Sequence, residues 1–319
     1  MKNLSELTDF YYKTLYPTLQ ELEKERKELK SRIIKIAIFF TIIVFVIAFS
    51  LFEYFSFDIF IFMGVGYIAL GGFIYKFLIK DYTVEFKEKV IKPLIKEIDS
   101  NLNYAPLLHV PQAIFGSSRL FTQDIDRYSG NDLVKGKIDG INIQFSDIHA
   151  EKEHRDSKGN RHWSTIFQGL FIVSEFNKRF HGKTVILPDT AQSFFGDLIG
   201  NWLQSNNFSR NELVKMDNVE FEKKFVVYST DQIEARYILT HTLMEKLLLF
   251  LKKSQHPLSI SFAGTSIHMA IEYNKDLFEP SIFRSLLEYK IAMEYVKTLH
   301  LAIGIVEELK LNQKLWSKI

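Results

Sequence analysis

The sequence predicts an α+β protein at a membrane: an N-terminal transmembrane helical hairpin with stalk helices, a mainly antiparallel β cytosolic domain with short helices, and a long C-terminal helix. Three observations predict it. Two apolar runs, 33–52 (IIKIAIFFTIIVFVIAFSLF) and 59–79 (IFIFMGVGYIALGGFIYKFLI), stand back to back. At about 1.5 Å per helical residue each reaches roughly 30 Å, the thickness of a bilayer's hydrocarbon core. From residue 133 the apolar period falls to two, as in half-buried strands, whereas before the first run and after Pro280 it is three and four, as in helices.

Lys35 and Lys76 are the charged residues inside the two runs, one near the start of the first and one near the end of the second. Each ammonium can snorkel to the headgroups, which makes both membrane-interface residues. Lys24, Arg26, Lys27, Lys30 and Arg32 precede the first run, and Lys80, Lys87, Lys89, Lys92 and Lys96 follow the second, while the connection 53–58 carries two carboxylates and no Lys or Arg. The excess of positive charge predicts two spans with both termini cytoplasmic. A cleavable signal peptide is disfavoured, because the first run begins more than thirty residues in and a second follows at once. Gly64 and Gly71 share a face with Ala69 and Gly72 beside them, a pattern that either lets the helices approach closely or marks a loosely packed span.

Composition narrows the function. The chain has no Cys, which excludes disulfides, thiolate zinc sites and a cysteine nucleophile. A net charge of +2 gives no global basic field for nucleic acid. No cofactor is implied. The expected partner is the bilayer, joined by a protein partner or anionic lipid headgroups, and a homo-oligomer through the stalk helices is compatible with the pattern.

Residues 1–32 form a stalk helix whose seam runs Tyr12, Leu15, Leu19, Leu22, Arg26, Leu29, Ile33, interrupted at Arg26, with Pro17 marking a kink or the helix start. The hairpin occupies 33–79. Residues 80–112 continue as a stalk helix, bent or broken at Pro93, and then a connector. The cytosolic domain spans 113–280, and 281–319 is a C-terminal helix packed on the stalk, with Trp316 and its neighbouring lysines at the interface. Within the domain, Gly116-Ser117-Ser118-Arg119 is a loop or an anion cradle. Asp139-Gly140 joins two strands through a tight turn, with a bulge between Phe145 and Ile148. A second hairpin carries a polar tip at 151–162 and returns through 167–176, apolar on both faces and therefore central. A short strand follows at 184–187, then a helix at 192–204. A strand ends at Tyr228, a capping box at Ser229 and Gln232 starts a short helix, Thr240 caps the next, and 258–262 pairs with 267–273.

Phe221 to Thr240, with Tyr128-Ser129-Gly130-Asn131-Asp132 and Phe167-Gln168-Gly169-Leu170-Phe171, resembles domain-of-unknown-function family 3137, bacterial membrane proteins with no assigned activity. The resemblance covers about Ala113 to Pro280 and implies a bacterial inner-membrane protein, multi-pass, with a cytosolic domain behind a membrane hairpin; it carries no catalytic residues. Catalytic signatures are lacking. Gly182-Lys183-Thr184 precedes a strand and has no leading glycine at the Walker A position. His149, His154 and His162 are the metal-ligand candidates, with Glu153 facing His162 across the second hairpin, against the plainer reading of a solvated polar tip. Asp231, Glu234 and Arg236 are the catalytic candidates, against a helix-dipole role for Asp231 and a structural ion pair for Arg236. The sequence therefore favours a non-enzymatic membrane-anchored binding or scaffolding protein, with a membrane-tethered hydrolase or nucleotide-handling enzyme as the alternative.

Overall fold

The computed structural model describes residues 4–52, 54, 57–138, 140–175, 179–189, 212–273, 276 and 278–287. The chain divides into two compact units, one formed by the residues up to Glu97 with the segment from Phe278, the other by Ile98–Leu277.

The first unit is helical. Helix α1 (Leu4–Phe10) passes through a π-turn at Tyr11–Leu15 into α2 (Tyr16–Leu51), and α3 (Phe57–Phe86) passes through a π-turn at Lys87–Ile91 into α4 (Lys92–Ile98). Each π-turn stands just before a proline, Pro17 or Pro93. Proline has no N–H to return to the preceding turn, so the ladder loosens there, and the N–H groups of Tyr16 and Lys92 reach back five residues to the carbonyls of Tyr11 and Lys87. The bend expected at Pro93 thus takes the form of a π-turn. At the N-terminal one, the extra residue rotates the seam: Tyr11 is 2% exposed and Tyr12, expected in the seam, is 54% exposed. Leu7, Leu15, Leu19 and Leu22 are buried along α1, the π-turn and α2, as are Phe86, Val90, Ile91, Leu94 and Ile95 on the second arm.

From Lys27 to Lys80 no described residue is buried. Both helices are long and apolar enough to cross a membrane, and their apolar windows lie wholly on the outside of the protein. They meet through Thr41 Oγ1 and Tyr67 Oη, 2.6 Å apart, and enclose a cleft of about 70 Å³ lined by Ile36, Phe40, Leu70, Gly71 and Ile74. A Cβ added at Gly64, Gly71 or Gly72 would meet nothing within 4 Å, so these glycines do not create the close approach that their spacing allows.

The second unit is built on an antiparallel eight-stranded sheet in the order β1-β2-β3-β4-β8-β7-β5-β6. The strands are β1 (Asn103–Ala105), β2 (Arg127–Ile138), β3 (Ile141–Arg155), β4 (Arg161–Glu175), β5 (Thr184–Pro188), β6 (Phe225–Ser229), β7 (Leu258–Ala263) and β8 (Ser266–Glu272). Ile138 pairs with Ile141 around Gly140, whose φ of 88° is the left-handed conformation the tight turn needs. The bulge lies on β2, between Asn131 and Val134, and not on β3. Gly169, on β4, is required by close approach: a Cβ there would stand 2.0 Å from the Ile271 carbonyl oxygen.

Helix α5 (Gln112–Ser117) places Phe115 at the centre of one core. Its ring lies 4.8 Å from that of Phe171 and 5.0 Å from that of Phe121, and Leu133, Ile148, Phe167, Val173 and Val185 complete the cluster. Short α6 (Val219–Glu222), α7 (Gln232–Ile238) and α8 (His241–Ser254) follow. Thr240 caps α8 as expected, and Leu243, Leu247 and Phe250 form its buried stripe. The helix expected at 192–204 lies outside the described residues. So does most of the expected C-terminal helix, Trp316 included; Pro280–Leu287 form bends and a turn.

Candidate functional site

The carboxylates of the expected catalytic cluster are brought together, but as a clasp between two loops. Asp231 is the N-cap of α7, its side chain accepting from the N–H groups of Ile233 and Glu234 at 3.0 and 2.9 Å. The cap is therefore Asp231 and not Ser229, whose hydroxyl donates to the Asp231 carbonyl at 2.8 Å and also meets Thr184 Oγ1. Glu234 accepts from the His181 and Gly182 N–H groups at 2.9 and 2.7 Å, one on each oxygen, and Thr230 Oγ1 accepts from the Lys183 N–H. Gly182 fits because a Cβ there would lie 2.8 Å from Asp231 Cβ. Arg236 is exposed and turns to the Lys215 carbonyl at 3.4 Å. A carboxylate that accepts from two backbone donors holds the turn between the two loops.

The histidine candidates lie along the β3–β4 ribbon. His154 pairs directly with His162, and Glu153 faces Trp163, so the expected Glu153–His162 pairing is displaced by one residue. His154 Nε2 lies 2.7 Å from Ser164 Oγ, His149 Nε2 3.8 Å from Glu151, and His162 Nε2 3.7 Å from Asp156. Among the described residues no group of three or more His, Cys, Asp or Glu is placed to hold a metal ion. The ribbon carries surface pairs instead, among them Arg127 stacked 3.8 Å over the Trp163 ring.

At Gly116-Ser117-Ser118-Arg119, α5 ends and the chain turns inward. Ser118 is buried, and its carbonyl accepts from Ser261 Oγ at 2.8 Å. Arg119 takes φ 57° and borders an open groove of about 580 Å³ with Gln112, Gly116, Thr122 and Asp124. Next to Ser261 lies His268, its Nδ1 3.3 Å from the hydroxyl, and burial pushes the imidazole down to about 4.

The charged constellation that sequence reasoning missed lies in the helical unit. Arg26, read as an interruption of the seam, is buried within it and holds both oxygens of Glu23 at 2.8 Å. The pair seizes a later piece of chain: Arg26 Nη1 donates to the Ile282 carbonyl, and the Leu286 N–H donates to Glu23 Oε2 at 3.0 Å. Lys87, also buried, reaches Glu279 at 2.7 Å. Arg26 holds the Glu23 carboxyl below the usual range, with the Leu286 N–H adding to it against the effect of burial. The available signal was an Arg at a core position with Glu three residues before it, the spacing of a pair on one helix face.

No curated protein matches the chain. Among solved structures, the crystal structure of the mycobacterial trehalose monomycolate transport factor A, TtfA, is similar with 9% identity, covering 64% of this chain and 88% of that one at a TM-score of 0.31. The expected family resemblance is found, but it begins within β4 and runs past Pro280 instead of starting at Ala113. From residue 165 to residue 311 the chain is similar to the family described as Protein of unknown function (DUF3137).

Proposed function

We propose that this is an inner-membrane protein anchored by α2 and α3, with both termini in the cytoplasm and a cytosolic β unit that binds a protein, lipid or small ligand at the membrane surface. The observation that carries the reading is the unburied apolar surface of both helices. Phe45, Phe49, Phe62 and Phe73 are each at least 70% exposed, a surface that water does not tolerate at this extent and hydrocarbon does. The lysines and arginines at the outer ends of the spans support the orientation. The hold of Glu234 on the turn at His181 and Gly182 supports the non-enzymatic reading over the hydrolase or nucleotide-handling alternative.

The test is to map both termini with cytosolic and periplasmic reporters, then purify the full chain in mild detergent and identify co-purifying lipids, proteins, metals and nucleotides by mass spectrometry. Cytosolic termini with a bound lipid or protein are expected. A terminus outside overturns the topology, and a stoichiometric nucleotide or metal overturns the non-enzymatic reading.

A further inference from the structure

We propose that the segment Ile282–Arg284 and the helix ends beside it form a binding site for the headgroup and upper acyl chain of an anionic phospholipid. The inference rests on the membrane reading above and deepens it. Phe283 stacks on Tyr75, ring centroids 6.3 Å apart at 12°, and Lys30 Nζ stands 5.9 Å from the same ring. Tyr75 lies four residues before the end of the second apolar run, and Lys30 three before the start of the first. Both contacts fix Phe283 at one depth, the cytoplasmic rim of the spans, where an aromatic ring is favoured.

The ring is not there to fill a core. Phe283 is 58% exposed, whereas Ile282 and Leu286 on the same segment are 1% and 6% exposed. The segment is held by Arg26, Glu23 and Lys87, so the fold presents Phe283 outward on a fixed support. Arg284 follows it and is exposed, as are Arg32, Lys35, Lys76 and Lys80 at the same rim. The stretches 30–35 and 76–80 contain no acidic residue. An exposed ring continuous with an apolar span, beside Lys30 and Arg284 and with the Glu279 carboxylate of the same segment engaged by Lys87, is complementary to a negatively charged lipid: acyl carbon against the ring, phosphate against the guanidinium.

Because the chain has no Cys, Phe283→Cys accepts a single nitroxide label in the full protein, reconstituted in vesicles of phosphatidylcholine with and without phosphatidylglycerol. The label should be more accessible to oxygen than to a water-soluble nickel chelate. Its mobility should fall when phosphatidylglycerol is added, an effect lost in Arg284→Glu and retained in Arg284→Lys. Phe45→Cys, in mid-span, separates the two readings. If the Phe45 label is in lipid while the Phe283 label is open to nickel in both vesicles, the site is overturned and the anchor stands. If the Phe45 label is in water, the membrane reading itself fails. A Phe283 label in lipid that ignores phosphatidylglycerol overturns the selectivity for anionic lipid.

Discussion

His268 carries an acid effect within the β unit. It is 3% exposed, its ring stacks 6.1 Å from that of Phe171, and burial disfavours the charged imidazole. Its folded pKa of about 4 lies below the ordinary 6.5, so the unfolded chain takes up the proton first. The contribution is therefore intact above the ordinary histidine pKa and is lost as pH falls through the folded one, about 3 kcal/mol in all. Urea unfolding between those pH values should show this slope, and His268→Gln should flatten it. Glu234→Ala should cost about 2 kcal/mol in the same assay, because two backbone donors lose their acceptor, whereas Arg236→Ala should change stability by less than about 0.5 kcal/mol. A catalytic cluster would show the reverse emphasis, little loss of stability and full loss of activity. The spacing of Asp231 and Glu234 was legible in the sequence. So was a helix-start role for Asp231, but the partners of Glu234 were not, since His181 lies 53 residues away and nothing local announces the meeting.

At the scale of the element, periodicity revealed what was regular and hid what was interrupted. The strands from residue 133 onward were legible, but β2 begins at Arg127, and its first half is obscured where Asp132, at φ 61°, and the neighbouring bulge break the alternation. In the stalk, Pro17 and Pro93 were legible as breaks, yet a proline does not state whether the helix stops, kinks or opens by one residue. The buried pair was misread for a related reason: a charge on an apolar seam looks like a defect until its partner is seen. Arg26→Ala leaves the Glu23 carboxylate buried and should cost about 3 kcal/mol, read as faster hydrogen exchange of the Leu286 amide. Glu23→Leu combined with Arg26→Met should cost far less, since no charge is then left behind. Because the Glu23 carboxyl is held below its ordinary range, its contribution is complete above the ordinary carboxyl pKa, declines once the unfolded chain's carboxyl begins to protonate, and is gone when pH has fallen through the lowered value, a second acid effect distinct from that of His268.

For the whole molecule, the two long apolar helices were the most legible feature, because length and all-round apolarity need no tertiary partner to be recognised. Ile68→Arg places a charge near the middle of the second span on a side chain 73% exposed, and should oppose insertion by about 3 kcal/mol, seen as loss of the chain from the membrane fraction. The same substitution on a water-facing helix would raise solubility instead. The clasp made by Arg26 and Glu23 has a consequence in time. Its two ends are 256 and 263 residues from the backbone groups they hold. At roughly 5–20 residues per second of synthesis, the helices wait on the order of tens of seconds for the segment that completes them. The long apolar helices are therefore made first, the sheet is synthesised next, and the helical unit is locked only after the chain has passed residue 286.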